Sequence, residues 1–343
     1  MNNHPHAFRG FLRLGDYLQN IDLNQPAYAP LQSVLVQAKQ SNGWFTQENC
    51  LNALDAWGKC LQSDALAKWW EPYEATSATP KTIGLVLAGN IPLVGFHDVL
   101  SVLAAGHNAN VKLSSSDPYL IPFLVNLLEQ FDTATFSNRV QFTQERLGGF
   151  DAVIATGSNN AARYFNHYFG HVPHLIRQNR NGIAVLSGNE TEEELNGLAT
   201  DMVAYYGLGC RSTSKVYVPK GYDFNAIFGS LYPYAHLMDS AKYANNYDYN
   251  KAVFLMSEFE LLDNGFYLFL ENDHFSSPIA CLHYSYYNSL EELQKTLDGQ
   301  VDQIQCISSH LPLKNALAFG QAQQPALWDY ADGVDTVEFL LSL

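Results

Sequence analysis

Beyond residue 80, the chain alternates short apolar runs with stretches whose apolar positions recur every three or four residues. The short runs have the length of buried strands, and we assign them to Ile83–Leu87, Ala109–Leu113, Phe150–Thr156, Gly182–Leu186 and Ser214–Val218. Between the first two runs, the spacing of Phe96, Val99, Leu100 and Leu103 is typical of one face of an amphipathic helix. Residues 1–80 are rich in Leu, Ala, Gln and Trp and are predicted to be mostly helical.

Local signals mark where several of the predicted helices begin and end. Asp117-Pro118 predicts an N-cap followed by proline at the first helical position. Thr191 and Glu194 have the spacing of a capping box. Gly106 and Gly207 each follow an apolar helical stretch and are suitable C-terminal stops. These signals bound the helices that separate the strands.

Alternating strands and helices predict an α/β fold with mostly parallel sheets covered by helices. Ligands of such sheets bind outside the carboxyl ends of the strands. Three predicted turns lie at such ends, namely Gly89-Asn90, Leu113–Ser116 and Gly157-Ser158. We therefore expect these turns to be neighbours in one crevice.

Composition and charge narrow the classes of function. The 343 residues, 47% of them apolar, are enough for two globular domains. The net charge of −15 disfavours binding to nucleic acids or anionic membranes, so we expect no nucleic-acid partner. The most apolar stretch, residues 83–100, is interrupted by polar residues and a proline, and we expect no transmembrane segment. Because Arg9, Arg13 and Asp16 interrupt the early apolar positions, we also expect no signal peptide.

The five cysteines are odd in number and predict reduced thiols in a cytoplasmic protein. Cysteines and histidines alike lack recognised metal-ligand spacing, so no metal site is predicted. Cys210 stands apart because it lies in a glycine-containing segment, 207–212, and precedes Arg211. Glycines allow close approach of a ligand, and an adjacent arginine could lower the pKa of the thiol. Spacing alone leaves a packing role open, since free cysteines are often buried.

Polar residues at the predicted turns are further candidates. The Asn90 amide could donate to a developing oxyanion or could simply form the turn. Lys112, Ser114 and Ser115, beside a predicted helix N-terminus, suit a phosphate or a ribose, or else a capped helix start. Gly157-Ser158 has the same two interpretations. It is not a G-x-G-x-x-G fingerprint, so an ordinary Rossmann dehydrogenase is not indicated.

Taken in order along the chain, these segments resemble the aldehyde dehydrogenase superfamily, and more narrowly its LuxC-type acyl-CoA reductase branch. The segments that carry the resemblance are Ala88–Pro92, Val111–Ser115, Ala155–Ser158, Gly207–Cys210 and Val216–Val218. The resemblance implies a doubly wound cofactor domain, residues 1–187 with a return of 311–343. It also implies a second α/β domain, residues 188–310, which carries the catalytic cysteine.

The resemblance implies a role for each candidate residue. Cys210 would be the nucleophile, and Asn90 would hold the oxyanion together with the Cys210 backbone N–H. Lys112 and Ser114 would hold the adenosine ribose of the cofactor or its phosphate. Gly157-Ser158 would contact the pyrophosphate and the nicotinamide end.

Three departures from the superfamily pattern shape the expected reaction. Leu175–Arg180 has no carboxylate where hydrolytic members carry a glutamate, which favours a CoA-linked reductase. Ser115 stands where a glutamate would repel the 2′-phosphate of NADPH, so NADPH is favoured over NADH. His274 stands where another glutamate usually binds the nicotinamide ribose, so its role is open.

The resulting hypothesis is the reduction of an acyl-CoA, specifically a fatty acyl-CoA, to the aldehyde by NADPH. Cys210 would form a covalent thioester, and CoA would be the leaving group. Two alternatives stay open. One is another aldehyde dehydrogenase-type reductase that acts on a semialdehyde or an acyl phosphate, and the other is a catalytically silent family member that acts as a partner protein. We further expect a cytoplasmic homodimer.

Overall fold

The structure, a computed structural model, describes residues 5–74, 76–77 and 79–343. Its contacts divide the chain into two compact units, Met1–Gln178 with Ala326–Leu343 and Asn179–Pro325. From the sequence we expected the first boundary after residue 187 and the return at residue 311. The contacts differ because the strand at residues 181–185 pairs with strands of the second unit, so the boundary precedes that strand.

In the described residues, four α-helices precede the first strand, and strands and helices are interspersed from residue 82 onward. The α-helices are α1 (Phe8–Gln19), α2 (Ala29–Ser41), α3 (Gln47–Cys60), α4 (Ser63–Trp70), α5 (Phe96–Ala104), α6 (Leu120–Phe131), α7 (Thr133–Phe136), α8 (Asn159–Phe169), α9 (Glu192–Val203), α10 (Asn225–Leu231), α11 (Ala241–Met256), α12 (Leu290–Asp298) and α13 (Thr336–Leu341). The strands are β1 (Thr82–Val86), β2 (Asn108–Lys112), β3 (Val140–Thr143), β4 (Ala152–Thr156), β5 (His174–Arg177), β6 (Asn181–Val185), β7 (Thr213–Pro219), β8 (Leu261–Asp263), β9 (Leu268–Glu271), β10 (Cys281–Tyr287), β11 (Ile304–Ser308) and β12 (Ala316–Leu317).

The first unit contains a five-stranded sheet in the order β3-β2-β1-β4-β5, in which every neighbouring pair is parallel. The apolar runs that predicted β1, β2 and β4 are confirmed, with bounds that differ by one or two residues. The strands β3 and β5 lie at the edges, and most of their residues are only half-buried. Because they lack a continuous apolar run, the sequence pattern did not reveal them.

The helix after β2 corrects one prediction. The sequence placed its N-cap at Asp117 and its first residue at Pro118, but α6 begins at Leu120. The Asp117 carboxylate is shared between two elements. Its Oδ1 accepts from the Leu120 N–H at 3.4 Å, and its Oδ2 accepts from the Leu93 N–H at 3.0 Å. Asp117 therefore ties the turn after β1 to the start of α6.

The second unit contains a seven-stranded sheet in the order β12-β11-β6-β7-β10-β9-β8. All neighbouring pairs are parallel except β8 and β9. Leu186 and Val218 pack in one apolar core with residues of α9 and α10, whereas Val185 and Tyr217 pack in a second core with residues of α12. Alternate residues along β6 and β7 thus enter different cores, as expected for a sheet covered on both faces. The predicted α/β architecture with mostly parallel sheets is confirmed.

Candidate active site

The segment between α9 and β7 carries Cys210 on an exposed turn. The turn is closed by a hydrogen bond from the Ser212 N–H to the Gly209 carbonyl at 3.0 Å, and the Cys210 side chain is exposed. Two residues, Gly207 and Leu208, separate this turn from Tyr205 and Tyr206, which have φ values of 52° and 59°. Left-handed backbone at two consecutive tyrosines costs roughly 1–3 kcal/mol per residue, and such strain concentrates at functional sites. The geometry supports a functional role for this turn over the alternative of a buried packing cysteine.

Arg211, next to Cys210, was the candidate for a charge that activates the thiol. Its Nε donates to the Ala322 carbonyl, so the guanidinium is hydrogen-bonded to a segment that is distant in sequence. Ser212 is held by the same region, since Gln323 Nε2 donates to Ser212 Oγ at 3.5 Å. Both residues that follow Cys210 are thus attached to the segment after β12.

The turn after β1 packs against the loop after β2, as the α/β pattern predicted. A Cβ added at Gly89 would lie 2.5 Å from Ser114 Oγ, so only glycine allows this approach. Leu93 at the end of the turn has a φ of 60° and donates its N–H to the buried Asp117. Asn90 itself is exposed at the tip of the turn. The turn is therefore held on both sides of Asn90.

Lys112 is the last residue of β2 and is half-buried. The loop that follows is a local turn, in which Ser114 Oγ accepts from the Ser116 N–H at 3.2 Å. Ser115 is exposed at this turn. Because α6 begins only at Leu120, these hydroxyls do not lie in the first helical turn. Lys112, Ser114 and Ser115 lie at the carboxyl end of a strand as predicted, and they precede the first residue of α6.

The Gly157-Ser158 turn joins β4 to α8. Ser158 is the N-cap of α8, since its Oγ accepts from the Ala161 N–H at 3.2 Å. A Cβ at Gly157 would lie 2.8 Å from Phe165 and 2.9 Å from Ala161, so a larger residue would not fit. The N-terminus of α8 consequently lies at the carboxyl end of β4 with Ser158 exposed, an arrangement that suits a pyrophosphate. The residues present therefore fit a dinucleotide cofactor.

The structure distributes the candidate residues over the two units. Asn90, Lys112, Ser114, Ser115, Gly157 and Ser158 all belong to the first unit, and Cys210 belongs to the second. In the first unit, the three turns follow β1, β2 and β4, which are adjacent strands of one sheet. In the second unit, the backbone carbonyl of His274 accepts a hydrogen bond from His283 Nδ1 at 2.9 Å.

The segment Leu175–Arg180, which lacks a carboxylate, contributes Arg177 to a buried ion pair with Asp98. Arg177 at the end of β5 donates through Nη1 to both oxygens of Asp98 at 2.7 Å. Its Nη2 donates to Thr336 Oγ1 at 2.7 Å, and all three residues are buried. Arg177 therefore connects β5 to α5 and α13. The sequence signal for this pair was the single aspartate within the apolar helix α5.

Lys215 is a second buried charge that the sequence analysis missed. It lies in β7, is fully buried, and donates through Nζ to the Asn272 carbonyl and to Ser285 Oγ. Burial lowers the pKa of Lys215 to about 8, while the nearby carboxylate of Asp273 acts in the opposite direction. Its signal in the sequence was a lysine inside an apolar strand. Lys215 holds the loop after β9 against the sheet.

Across residues 5–74, 76–77 and 79–343, no group of three or more His, Cys, Asp or Glu side chains is arranged to hold a metal ion. None of the helices formed by the described residues combines the length and apolar character needed to cross a membrane.

Residues 12–227, which include every candidate residue except His274, match a protein-family model described as "Acyl-CoA reductase (LuxC)". A "Long-chain acyl-protein thioester reductase" of Aliivibrio fischeri is 28% identical over 209 residues, which are 55% of this chain and 43% of the relative. A "Long-chain acyl-protein thioester reductase 2" of Photobacterium leiognathi is 25% identical over 247 residues, 66% of this chain and 51% of the relative. The chain thus spans about half the length of the curated relatives it matches.

Solved aldehyde dehydrogenases share the fold. An NAD-dependent aldehyde dehydrogenase from Sinorhizobium meliloti superimposes with a TM-score of 0.65 at 12% identity, covering 89% of this chain and 70% of that one. A Mycobacterium tuberculosis aldehyde dehydrogenase complexed with NAD+ gives a TM-score of 0.57 at 12% identity, covering 84% and 69%. At such identities the likeness concerns the fold alone.

Proposed function

Because the chain belongs to the acyl-CoA reductase (LuxC) family, we propose that it reduces the acyl group of a thioester to an aldehyde, with Cys210 as the nucleophile. One observation carries the assignment. Within the matched residues, Cys210 is exposed on a turn that follows two left-handed tyrosines. A thiol at such a site is accessible to an acyl carbonyl, which a buried cysteine is not.

Cys210 and its surroundings perform the acyl transfer. The Cys210 thiolate attacks the carbonyl carbon of the substrate thioester, and a new carbon–sulfur bond forms. The negative charge that develops on the oxygen is held by the Cys210 backbone N–H and by the Asn90 amide, the role that the superfamily resemblance gives it. When the substrate's own carbon–sulfur bond breaks, its thiolate leaves and the acyl group remains on Cys210.

A reduced nicotinamide cofactor, when bound, supplies a hydride to the acyl carbon. Cys210 then leaves as the thiolate while the carbonyl re-forms, and the aldehyde is released. We assign the adenosine end of the cofactor to Lys112, Ser114 and Ser115, and the pyrophosphate and nicotinamide end to Gly157-Ser158. The neutral, exposed Ser115 supports NADPH as the cofactor, because no carboxylate at that position would repel its 2′-phosphate.

The proposed acyl donor is a fatty acyl-CoA. A second donor is favoured by a specific observation, since both curated relatives are named as long-chain acyl-protein thioester reductases. The two donors share the same reacting thioester and differ only in the thiol that leaves. The acyl transfer to Cys210 is the same for both.

Measurement of NADPH oxidation and aldehyde formation tests the proposal, with acyl-CoAs from short to long and with a long-chain acyl-protein thioester as donors. We expect turnover to fall by about 10³-fold or more in Cys210→Ala, or about 4 kcal/mol of transition-state stabilisation, while NADPH binding remains. Cys60→Ala, which changes a half-buried thiol of the first unit, is the control and should leave turnover unchanged. Substantial activity in Cys210→Ala would refute the covalent mechanism.

A further inference from the structure

Asp201 is a fully buried carboxylate in the last turn of α9, the helix that precedes the Cys210 turn. Its Oδ2 accepts from the Gly320 N–H at 2.8 Å and from Ser308 Oγ at 3.4 Å. Its Oδ1 accepts from the Ala322 N–H at 3.2 Å. The carboxylate thus uses both oxygens to hold the backbone of the segment 320–322.

Close packing brings this segment onto α9. A Cβ added at Gly197 of α9 would lie 2.8 Å from the carbonyl carbon and oxygen of Phe319. Gly320 has a φ of +83°, a conformation that other residues rarely adopt. Two glycines therefore allow the segment to approach the helix closely enough for the Asp201 hydrogen bonds to form.

The same segment, 320–322, is also hydrogen-bonded to the Cys210 turn. Ala322 donates its N–H to Asp201 and accepts at its carbonyl from Arg211 Nε. The positive charge of Arg211 also favours the ionised form of Asp201, although burial raises the pKa of that carboxyl to about 6. A continuous chain of hydrogen bonds therefore runs from Asp201 through Ala322 to the residue adjacent to Cys210. We call these three residues the Asp201 brace.

We propose that Asp201 is a positioning residue for the Cys210 nucleophile, acting through Ala322 and Arg211 to hold the Cys210 turn in one conformation. The catalytic part of this inference rests on the proposed function. The Asp201 side chain is enclosed by Gly320, Ala322 and Ser308, and its effect on chemistry is transmitted by the backbone of Ala322. The left-handed residues before Cys210 need such a restraint, because strained backbone persists only where its surroundings hold it.

The chemistry of the brace requires a carboxylate. Two backbone N–H groups approach different oxygens of Asp201, and an asparagine has only one oxygen with which to accept. In Asp201→Asn, the amide NH2 would face the N–H of either Gly320 or Ala322. The isosteric substitution therefore removes one of the hydrogen bonds that hold the segment 320–322, while the side-chain volume is conserved.

Steady-state kinetics with the 343-residue chain test the proposal. We expect kcat to fall by about ten- to a hundredfold in Asp201→Asn, with KM within about twofold, because misplaced reacting groups slow the chemical step. Arg211→Ala should have a similar effect, and Arg211→Lys, which retains a donor for the Ala322 carbonyl, should recover part of it. The double variant Asp201→Asn/Arg211→Ala should be no slower than the slower single variant, since both act through one chain. Glu193→Gln, an exposed carboxylate on the same helix, is the matched control and should match the wild type.

Amide hydrogen exchange of the same variants provides a readout that needs no turnover. In Asp201→Asn and Arg211→Ala, exchange should rise in peptides that cover residues 205–214 and 318–324 but not in β6 or β10. Unchanged kcat in both variants, additive losses, or exchange that rises uniformly across the unit would overturn the brace. If the wild type reduces no thioester, the proposed function fails. Amide hydrogen exchange alone then tests the Asp201 brace. A rise confined to residues 205–214 and 318–324 supports it, and a uniform rise or no change overturns it.

Discussion

The clearest quantitative prediction concerns Asp117, whose carboxylate joins the Asn90 turn to α6. The side chain is 2% exposed and accepts from the N–H groups of Leu93 and Leu120. Burial raises the pKa of Asp117 from its ordinary value of 3.8 to about 6, and the two hydrogen bonds only partly oppose this rise. The folded chain therefore holds the Asp117 proton more tightly than the unfolded chain does.

The sign of the pH effect follows from that difference. Below about pH 3, both states are protonated and ionisation of Asp117 carries no penalty. As the pH rises from about 4 to about 6, the unfolded chain loses the proton first, so the folded state becomes less stable. A difference of about 2 between the two pKa values corresponds to about 3 kcal/mol of the free energy of unfolding. Above about pH 7, the folded state has lost all of this stabilisation. Asp117→Asn removes this titration while it conserves the shape of the side chain.

We therefore expect the difference in free energy of unfolding, Asp117→Asn minus wild type, to increase by about 3 kcal/mol between pH 3 and pH 7. Urea unfolding followed by tryptophan fluorescence measures it, because all five tryptophans belong to the first unit, which contains Asp117. Asp201 also has a raised pKa, but it is unchanged in the variant and cancels in the difference. Asp16→Asn, at an exposed position of α1, is the control and should give a flat difference. A difference for Asp117→Asn that is flat within about 0.5 kcal/mol, or that decreases with pH, would refute the reasoning.

Three further predictions concern the proposed reaction. Ser115→Glu should shift the ratio of kcat/KM for NADPH and NADH toward NADH by about fivefold or more, since two anions a few ångströms apart repel by about 1 kcal/mol in water. A wild type that already prefers NADH would contradict the cofactor assignment. Asn90→Ala should lower kcat by about 10²–10³ with little change in KM, the usual effect of losing an oxyanion donor, and a normal kcat would make Asn90 a turn residue only. The acyl-enzyme should hydrolyse slowly, because Leu175–Arg180 contains no carboxylate to activate water. Free acid formed from the thioester as fast as aldehyde would show that another base exists.

Much of the local structure was determined by the sequence, because the interactions that specify it are close along the chain. The capping box of α9 is present as predicted, with Thr191 and Glu194 exchanging hydrogen bonds of 3.2 and 2.8 Å. The apolar runs predicted the central strands. Because loops at the carboxyl ends of parallel strands meet at one edge of the sheet, the turns at Gly89 and Ser114 were predicted to be neighbours, and they are in contact. Periodicity and turn chemistry act over a few residues, so a single sequence contains them.

The tertiary structure alone decided how the turns are held and what surrounds Cys210. The Asp117 carboxylate could be assigned to α6 from the sequence, but its second bond, to Leu93, depends on how the turn after β1 packs. Asp201 meets Ala322 across 121 residues, and Arg177 meets Asp98 across 79. A buried charge is stable only beside a partner, yet nothing in the spacing of residues identifies that partner. The choice is made when the chain packs, because desolvation then requires each buried donor and acceptor to be satisfied.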